Sequence, residues 1–319
     1  MKARNILVTA IGSFSSDCVI ASLRKFCDCK IVGCDIYPGE WHAVSKEFDV
    51  VLRSPLVKHT DEYLNFIQNT CDQHSIGTII PLTDVEVDFF NNFKDFFIKQ
   101  DILVTVGTSE FLSVARNKQK LNDVFKNDDN VKSVGTYTAG ELHSAKFPLI
   151  AKPKSGRSSE GIYYLSSPLE VKKSTNVDDY IFQEVVEGKI CTVDYVRSIK
   201  TGRDFSLPRI ELLRTANGAG LTIQTFKSEI LERLVSYIGN KLGVTGCINM
   251  EFIVKDEEYY LIDINPRFSA GVGFSKLAGY DFVKNHLLSF MQEDIVVPLN
   301  YDIIIGQKRM VDVINKMID

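Results

Sequence analysis

The chain has 319 residues, 45% hydrophobic and 24% charged, with 37 Lys+Arg against 41 Asp+Glu and a formal charge of −4. That is the composition of a globular protein of about two domains, and it excludes a disordered chain, a collagen-like repeat and a coiled-coil rod. Neither part of the chain carries the basic excess that a phosphate backbone attracts, and no run approaches the ~18 apolar residues that span a bilayer, so no nucleic-acid partner and no membrane segment are expected.

Residues 1–105 alternate short apolar runs with helical patterns. The predicted strands are Asn5–Thr9, Lys30–Asp35, Val50–Leu52, Gly77–Pro81 and Ile102–Val106, and the predicted helices are Ser16–Phe26, Thr60–His74 and Asp84–Lys99. The opening apolar run, Ile6 to Ile11, is short and interrupted by Thr9, so it reads as a β-strand and not as a signal peptide. Val85, Phe89, Phe93, Phe96 and Phe97 recur at helical spacing and read as core. Strand–helix alternation with near-continuous apolar strands implies a parallel, doubly wound, Rossmann-like sheet. Its first turn, Ala10-Ile11-Gly12-Ser13, has one glycine where a dinucleotide fingerprint has three, so NAD has weak support. Asp35 reads either as a ribose contact or as a turn residue. Trp41 and His42 follow it in a loop that could line a cleft.

Seven cysteines, five of them before residue 72, form no C-x-x-C pair, and no histidine stands at zinc spacing. A chain of this size stabilises its core without disulfides, so reduced thiols and a cytoplasmic location are expected.

After residue 108 the pattern becomes α+β. Short helices at Ser109–Arg116 and Asn117–Phe125 precede strands at Leu149–Lys152, Gly161–Leu165, Tyr180–Val186, Cys191–Ser198 and Arg203–Leu213. A helix at Lys227–Leu242 leads to strands Cys247–Val254 and Tyr259–Ile264. The chain closes with helical patterns at Tyr280–Gln292 and Gln307–Met317.

The last strand pair carries the most informative constellation. A three-residue turn at Asp256-Glu257-Glu258 pairs Lys255 with Tyr259 and sets Glu251 opposite Asp263, with Asn265 on the same face. Met250, Phe252, Val254, Tyr260, Ile262 and Ile264 then form the apolar face. Two facing carboxylates repel, and a hard cation resolves the repulsion. Carboxylate and amide oxygens suit Mg²⁺, or Mn²⁺. A solvated edge hairpin is the other reading. Pro266-Arg267 follows, and a guanidinium beside a metal site suits charge stabilisation on a transferring phosphoryl group. Upstream, Lys152-Pro153 ends a strand, and Ser155, Gly156, Ser158, Ser159 and Gly161 make a Gly/Ser loop able to approach an anion. It reads equally as an exposed turn. Gln183-Glu184-Val185-Val186 followed by Glu187-Gly188 ends another strand, which either offers backbone groups to an adenine edge or simply ends. His42, His59, His74, His143 and His286 are scattered, and no nucleophile elbow or H-E-x-x-H accompanies them.

In this order the pieces resemble the ATP-grasp superfamily, in the branch similar to the carbamoyl-phosphate-synthase large chain. The resemblance implies a pre-ATP-grasp α/β domain over residues 1–108, a small lobe with the glycine-rich loop over 109–186 and a large lobe with the metal site over 187–319. It implies ATP and Mg²⁺ as cofactors. Lys118 and Lys152 would contact phosphate, Ser155–Gly161 would cover it, and Gln183, Glu184, Val186 and Glu187 would form the adenine hinge. Glu251, Asp263 and Asn265 would hold the metal, with Arg267 and Lys152 as catalytic cations. Arg209, Arg214 and Asn217 match a segment near the acceptor substrate, although both arginines read equally as structural ion pairs. The family's ribose-contacting acid is replaced here by Ile190 or Cys191, with Glu187 or Asp194 as substitutes. Asp263 stands where Glu is commoner.

The implied activity is an ATP-dependent ligase joining a carboxylate to an amine through an acyl phosphate, with small-molecule substrates such as amino acids, peptides or envelope-sugar precursors, and a homodimer as a common family state. A non-catalytic nucleotide- or partner-binding protein and an NAD-dependent oxidoreductase are the alternatives. The chain has no room for a second synthetase half or a glutamine-hydrolysing domain, so a complete carbamoyl-phosphate synthase is not expected of it alone.

Overall fold

The computed structural model describes residues 4–156, 160–171 and 177–315. The first hundred residues form a parallel sheet of β1 (Asn5–Thr9), β2 (Ile31–Asp35), β3 (Val50–Arg53), β4 (Ile76–Ile80) and β5 (Leu103–Val104), in the order β3-β2-β1-β4-β5. Side chains alternate across β1, so its two faces serve two cores. Ile6 and Val8 pack with Val19, Ile20 and Leu23 of α1 (Ser16–Phe26). Leu7 packs with Tyr63 and Ile67 of α2 (Thr60–His74). β2 and β4 are buried along their whole length, as strands covered on both faces must be. The strand order reverses between β1 and β4, and sheets of this kind place ligands in the crevice beyond the strand ends at that point.

The helix expected over Asp84–Lys99 is two helices, α3 (Asp84–Asn92) and α4 (Lys94–Ile98), with Phe93 between them at φ −109°, ψ 15°. Asn91 and Asn92 are weak helix formers, and the break lets Phe97 become fully buried against Phe90 while Phe93 stays on Phe89.

Two antiparallel sheets follow. β7 (Thr136–Tyr137), β8 (Leu149–Pro153), β9 (Tyr163–Leu165) and β10 (Tyr180–Glu184) make a four-stranded sheet in the order β7-β10-β8-β9, with the short α7 (Pro168–Val171) beside β9. The larger sheet has seven strands: β6 (Lys132–Ser133), β11 (Lys189–Arg197), β12 (Asp204–Arg214), β13 (Gly220–Thr225), β14 (Gly246–Lys255), β15 (Glu258–Asn265) and β16 (Ile305–Gln307). Their order is β16-β13-β12-β11-β14-β15-β6.

The four-stranded sheet has its own small core around Leu149, Leu165 and Phe182. By contrast, α5 (Ser109–Ala115) and α6 (Lys118–Phe125) bury Phe111, Leu121 and Phe125 in a core shared by the first sheet and the seven-stranded one. Within the span 109–186, helices α5 and α6 thus pack with the first and the seven-stranded sheets, and the small sheet begins at Thr136. α8 (Glu229–Lys241), α9 (Val272–Leu277) and α10 (Phe282–Phe290) complete the covering layer.

The helix expected at Gln307–Met317 is absent over its described part. β16 pairs with the edge of β13, the Lys308 N–H donates to the Leu221 carbonyl, and 311–315 are irregular. Edge pairing satisfies the backbone there without a helix. All seven cysteines carry free thiols, and among the described residues no helix is long and apolar enough to cross a membrane.

Candidate functional site

A cavity of about 1520 Å³ lies between the three sheets and draws its wall from all of them. A single drug-sized ligand occupies roughly 300–1,000 Å³, so this space accommodates two small molecules side by side.

The β14–β15 hairpin forms its floor. The turn has two residues, not three: Asp256 and Glu257 both take left-handed φ, 49° and 63°, and Lys255 pairs with Glu258. That is the type I′ geometry suited to the twist of a hairpin. Three pairs further along, a bulge between Glu251 and Phe252 shifts the register. Beyond it Glu251 faces Asp263 and Asn249 faces Asn265, so the expected carboxylate pair forms despite the shorter turn. The apolar face changes accordingly. Leu261, not Tyr260, is buried opposite Phe252, and Ile262 turns to the cavity.

Burial and then the facing Asp263 carboxylate hold Glu251 above the ordinary carboxylate range, opposed by Arg214 and Arg267. Asn265 Nδ2 donates to Asn249 Oδ1 at 3.1 Å and Glu251 Oε1 at 3.3 Å, which leaves its amide oxygen free of the donors that fix its orientation. Asp263 Oδ1 accepts the Ile264 N–H at 3.0 Å, and its Oδ2 lies 2.9 Å from Lys118 Nζ on the first turn of α6. Asn117 caps that helix by accepting the Lys120 N–H, which fixes where Lys118 starts. Lys152, from β8, completes the basic side. Burial pushes its ammonium down from the usual lysine value, and Asp263 pulls it back up. Among the described residues no three His, Cys, Asp or Glu side chains gather as a metal set, so the donor set here is two carboxylates and an amide.

The structure separates the other expected nucleotide contacts. Gly156, Val186 and Glu187 line the cavity, whereas Ser155 and Gly161 lie outside its wall. Gly161 has φ 71°, and a Cβ there would meet the Tyr180 hydroxyl at 3.1 Å, so glycine is required. Ser158 and Ser159 lie outside the described residues. The side chains of Gln183 and Glu184 turn away from the cavity, because Gln183 Nε2 donates to Thr136 and Glu184 accepts the Tyr137 O–H. Their backbones continue into Val185 and Val186, which with Ile150, Ile190, Ile253 and Ile262 make an apolar slot. Of the two substitutes for a ribose acid, Glu187 lines this slot. Asp194 does not qualify, since it is fully buried and bound to Arg209 and Ser275.

At the opposite end, Arg209 is 1% exposed. Nη1 meets Asp194 at 2.7 Å and Nη2 meets Ser269 at 3.0 Å. Arg209 lines the cavity and makes the ion pair that was one of its two readings, and it holds the loop after β15 so tightly that Gly271 has no space for a Cβ. Arg214 is more open and pairs with Glu211 at 2.7 Å and Glu251 at 3.7 Å. Asn217 lines the cavity in the loop that Arg214 ties down through the Gly218 carbonyl. Arg267 meets Asp84 through Nε and Nη2, each at 3.0 Å.

The crevice of the first sheet opens into the same cavity. Asp35 there accepts the N–H groups of Gly12 (2.9 Å) and Tyr37 (3.1 Å) and lies 3.2 Å from His42. A Cβ on Gly12 would meet His42 at 2.8 Å. Asp35 is thus the turn residue of the two readings, with its acceptors engaged.

The sequence reading missed Asp84 and Glu211. Glu211 stands two residues beyond Arg209 on the same strand face, a signal that was available. Asp84 carried none beyond its place after Thr83 at a strand end.

Three comparisons bear on this geometry. Residues 115–271 match the family described as the ATP-grasp domain. The carbamoyl phosphate synthase large chain of Clostridium perfringens is 28% identical over 218 residues, which is 59% of this chain and 20% of that one. The chain thus spans about a fifth of the length of that relative. Among solved structures, the biotin carboxylase domain of Hydrogenobacter thermophilus 2-oxoglutarate carboxylase, in complex with MgADP and bicarbonate, superposes with a TM-score of 0.75 at 17% identity, covering 92% of this chain and 71% of that one. The L-amino acid ligase of Bacillus licheniformis superposes with a TM-score of 0.70 at 12% identity, covering 91% of this chain and 75% of that one.

Proposed function

The chain carries an ATP-grasp domain, and from that premise we propose that it is an ATP-dependent ligase joining a carboxylate to an amine. The observation that carries this reading is the hairpin floor. Glu251 and Asp263 face each other beside Asn265, with Lys118 and Lys152 on one side and Arg267 on the other, under a cavity large enough for a nucleotide and a second substrate. In this reading the first sheet is the Rossmann-like pre-ATP-grasp domain, and the four- and seven-stranded sheets are the two lobes that clasp ATP.

The donor set fits Mg²⁺: two carboxylates and an amide are hard oxygen ligands, and Glu251 and Asp263 face each other across the strands. When bound, the ion would supply charge neutralisation for the phosphates. The remaining work falls to the chain itself. Lys118 and Lys152 attract the phosphate oxygens, and the apolar slot around Ile190 and Ile262 receives the adenine ring, with Glu187 at its edge. The acceptor carboxylate attacks the γ-phosphorus. A P–O bond forms to it as the bond to the β–γ bridging oxygen breaks, and ADP leaves. Arg267 and Arg214 face that region and balance its charge. An amine nitrogen then attacks the acyl carbon, phosphate departs, and the nitrogen loses a proton. A closed cavity protects the acyl phosphate from water.

Thermal unfolding and ADP release test this reading together. Mg-ATP at about a hundred times its dissociation constant should add roughly 2.7 kcal/mol and raise the midpoint by several degrees. The shift should vanish in Lys152→Ala, and a panel of carboxylates with amines should release ADP. ATP binding without ADP from any substrate would favour a binding protein. A shift by NADH and none by ATP would overturn the reading.

A further inference from the structure

We propose that Asp84, on the first sheet's side of the cavity, is the positioning residue for Arg267. The inference rests on reading Arg267 as a group that faces the phosphates. Asp84 begins α3, is 3% exposed and lines the cavity. Its Oδ2 accepts the Arg267 Nε–H at 3.0 Å and lies 3.0 Å from Nη2 in the same ion pair. Arg267 Nη1 donates to the Phe268 carbonyl at 3.1 Å. Three nitrogens are thereby engaged, and the plane of the guanidinium is set. N–H groups on the terminal nitrogens remain for a ligand.

Asp84 is itself held. Its Oδ1 accepts no hydrogen bond but has Arg116 Nη1 3.4 Å away. Arg116 is fixed by a two-point contact with Asp88, 2.9 and 3.0 Å, four residues along the same helix. The aligned N–H groups at the start of α3 add a further favourable field for the Asp84 carboxylate. A buried anion between two arginines, one of them clamped elsewhere, is a fixed reference point for the other.

The alternative position for Arg267 explains why such a reference is useful. The guanidinium is two residues beyond Asn265, and Glu251 already lies within its field. Released from Asp84, it would turn toward Glu251 and Asp263, whose oxygens the proposed metal requires. Asp84 therefore does two things: it aims Arg267 across the cavity and keeps it off the metal-binding carboxylates. In this arrangement the first sheet contributes to the chemistry through one side chain, across a sequence separation of 183 residues.

The alternative is an ion pair that only docks the first unit onto the larger sheet. A double-mutant cycle with Asp84→Asn and Arg267→Lys separates the two, because groups acting as one unit are not additive. ADP formation is measured at saturating Mg-ATP with the best carboxylate and amine of the panel, and Mg-ADP affinity by calorimetry. Asp84→Asn should lower kcat by about 10–100-fold, the loss expected when a reacting geometry slips by about an ångström. At saturating Mg²⁺, KM for ATP and the Mg-ADP dissociation constant should stay within about twofold, since the charge that Arg267 balances develops only as the phosphoryl group transfers, and the half-saturating Mg²⁺ concentration should rise. In the Arg267→Lys background the same change should cost less than about threefold. Asp84→Glu, which keeps the charge, should recover part of kcat, and it replaces Asp84→Asn if that variant fails to fold. Full additivity, or a kcat within twofold of wild type, overturns the inference while leaving the ligase reading intact. Mg-ATP binding with no ADP from any substrate overturns both.

Discussion

Carboxylates line the cavity on both of its sides, and the two sides treat them in opposite ways. In the first sheet each is answered by its own chain. Asp35 accepts two backbone N–H groups and contacts His42. Glu86 accepts the hydroxyls of Tyr63 and Thr83 at 2.9 and 2.7 Å, and Asp84 lies between two arginines. On the β14–β15 hairpin, Glu251 and Asp263 are set against each other across the strands, and Lys118 compensates one carboxylate from one side. Like charges directly opposite on a sheet weaken it, so the hairpin gives up stability that the first sheet keeps. A carboxylate satisfied by its own chain maintains architecture. A pair set against itself is where the proposed cation and its ligand would bind.

The largest expected effect tests the hairpin side. Asp263→Asn removes an oxygen of the proposed metal site and the partner of Lys118 while preserving shape, and it should lower ADP formation by at least about 10²–10³-fold. Circular dichroism and the unfolding midpoint should stay close to wild type, because the lost ion pair and the relieved repulsion offset each other. Turnover within tenfold of wild type would remove the hairpin from the chemistry.

The matching change on the other side should do the reverse. Asp35→Asn weakens two backbone contacts in a buried turn and should cost about 1–3 kcal/mol of stability, a drop of several degrees in the midpoint. The kcat should change less than about threefold, because Asp35 is engaged with its own turn. An abolished kcat at unchanged stability would break the comparison and make the crevice of the first sheet catalytic.

Much of this division was legible in the sequence, and its failures have local causes. Alternation along INMEFIV and YYLIDIN fixed which residues share the carboxylate face. The turn was misjudged because two-residue hairpin turns announce themselves through glycine or asparagine, whereas Asp256 and Glu257 take the left-handed conformation without either. The bulge compensated, and no local pattern reports a bulge within a run of apolar and acidic residues. At the C-terminus the edge of β13 paired with Ile305–Gln307 and held the first residue of the expected helix in extended backbone. Arg209 read equally as an acceptor contact and as an ion pair, and only the tertiary fold displays its pairing with Asp194. The link between Asp84 and Arg267 joins two units distant in sequence, so only the tertiary fold displays it.

The smallest effect asks whether the hairpin pair is truly short of a cation. Burial and Asp263 raise the folded-state value of Glu251 above its ordinary 4.5. Below that ordinary value Glu251 is protonated in folded and unfolded chains alike and leaves stability unchanged. As pH rises past it, the unfolded chain releases its proton first, so the folded state binds more protons and stability declines until the folded value is passed. The decline should amount to less than about 1 kcal/mol, the scale of a like-charge pair across two strands, because Lys118 and Arg214 already offset part of the repulsion. Urea unfolding across this range should show the decline in wild type and its absence in Glu251→Gln, with unrelated carboxylates cancelling between the two curves. In the proposed site Mg²⁺ would bind the deprotonated pair, so it should flatten the wild-type curve and leave the variant's unchanged. Parallel curves for the two proteins, with and without Mg²⁺, would mean that the pair is already satisfied by its neighbours, and the contrast between the two sides of the cavity would disappear.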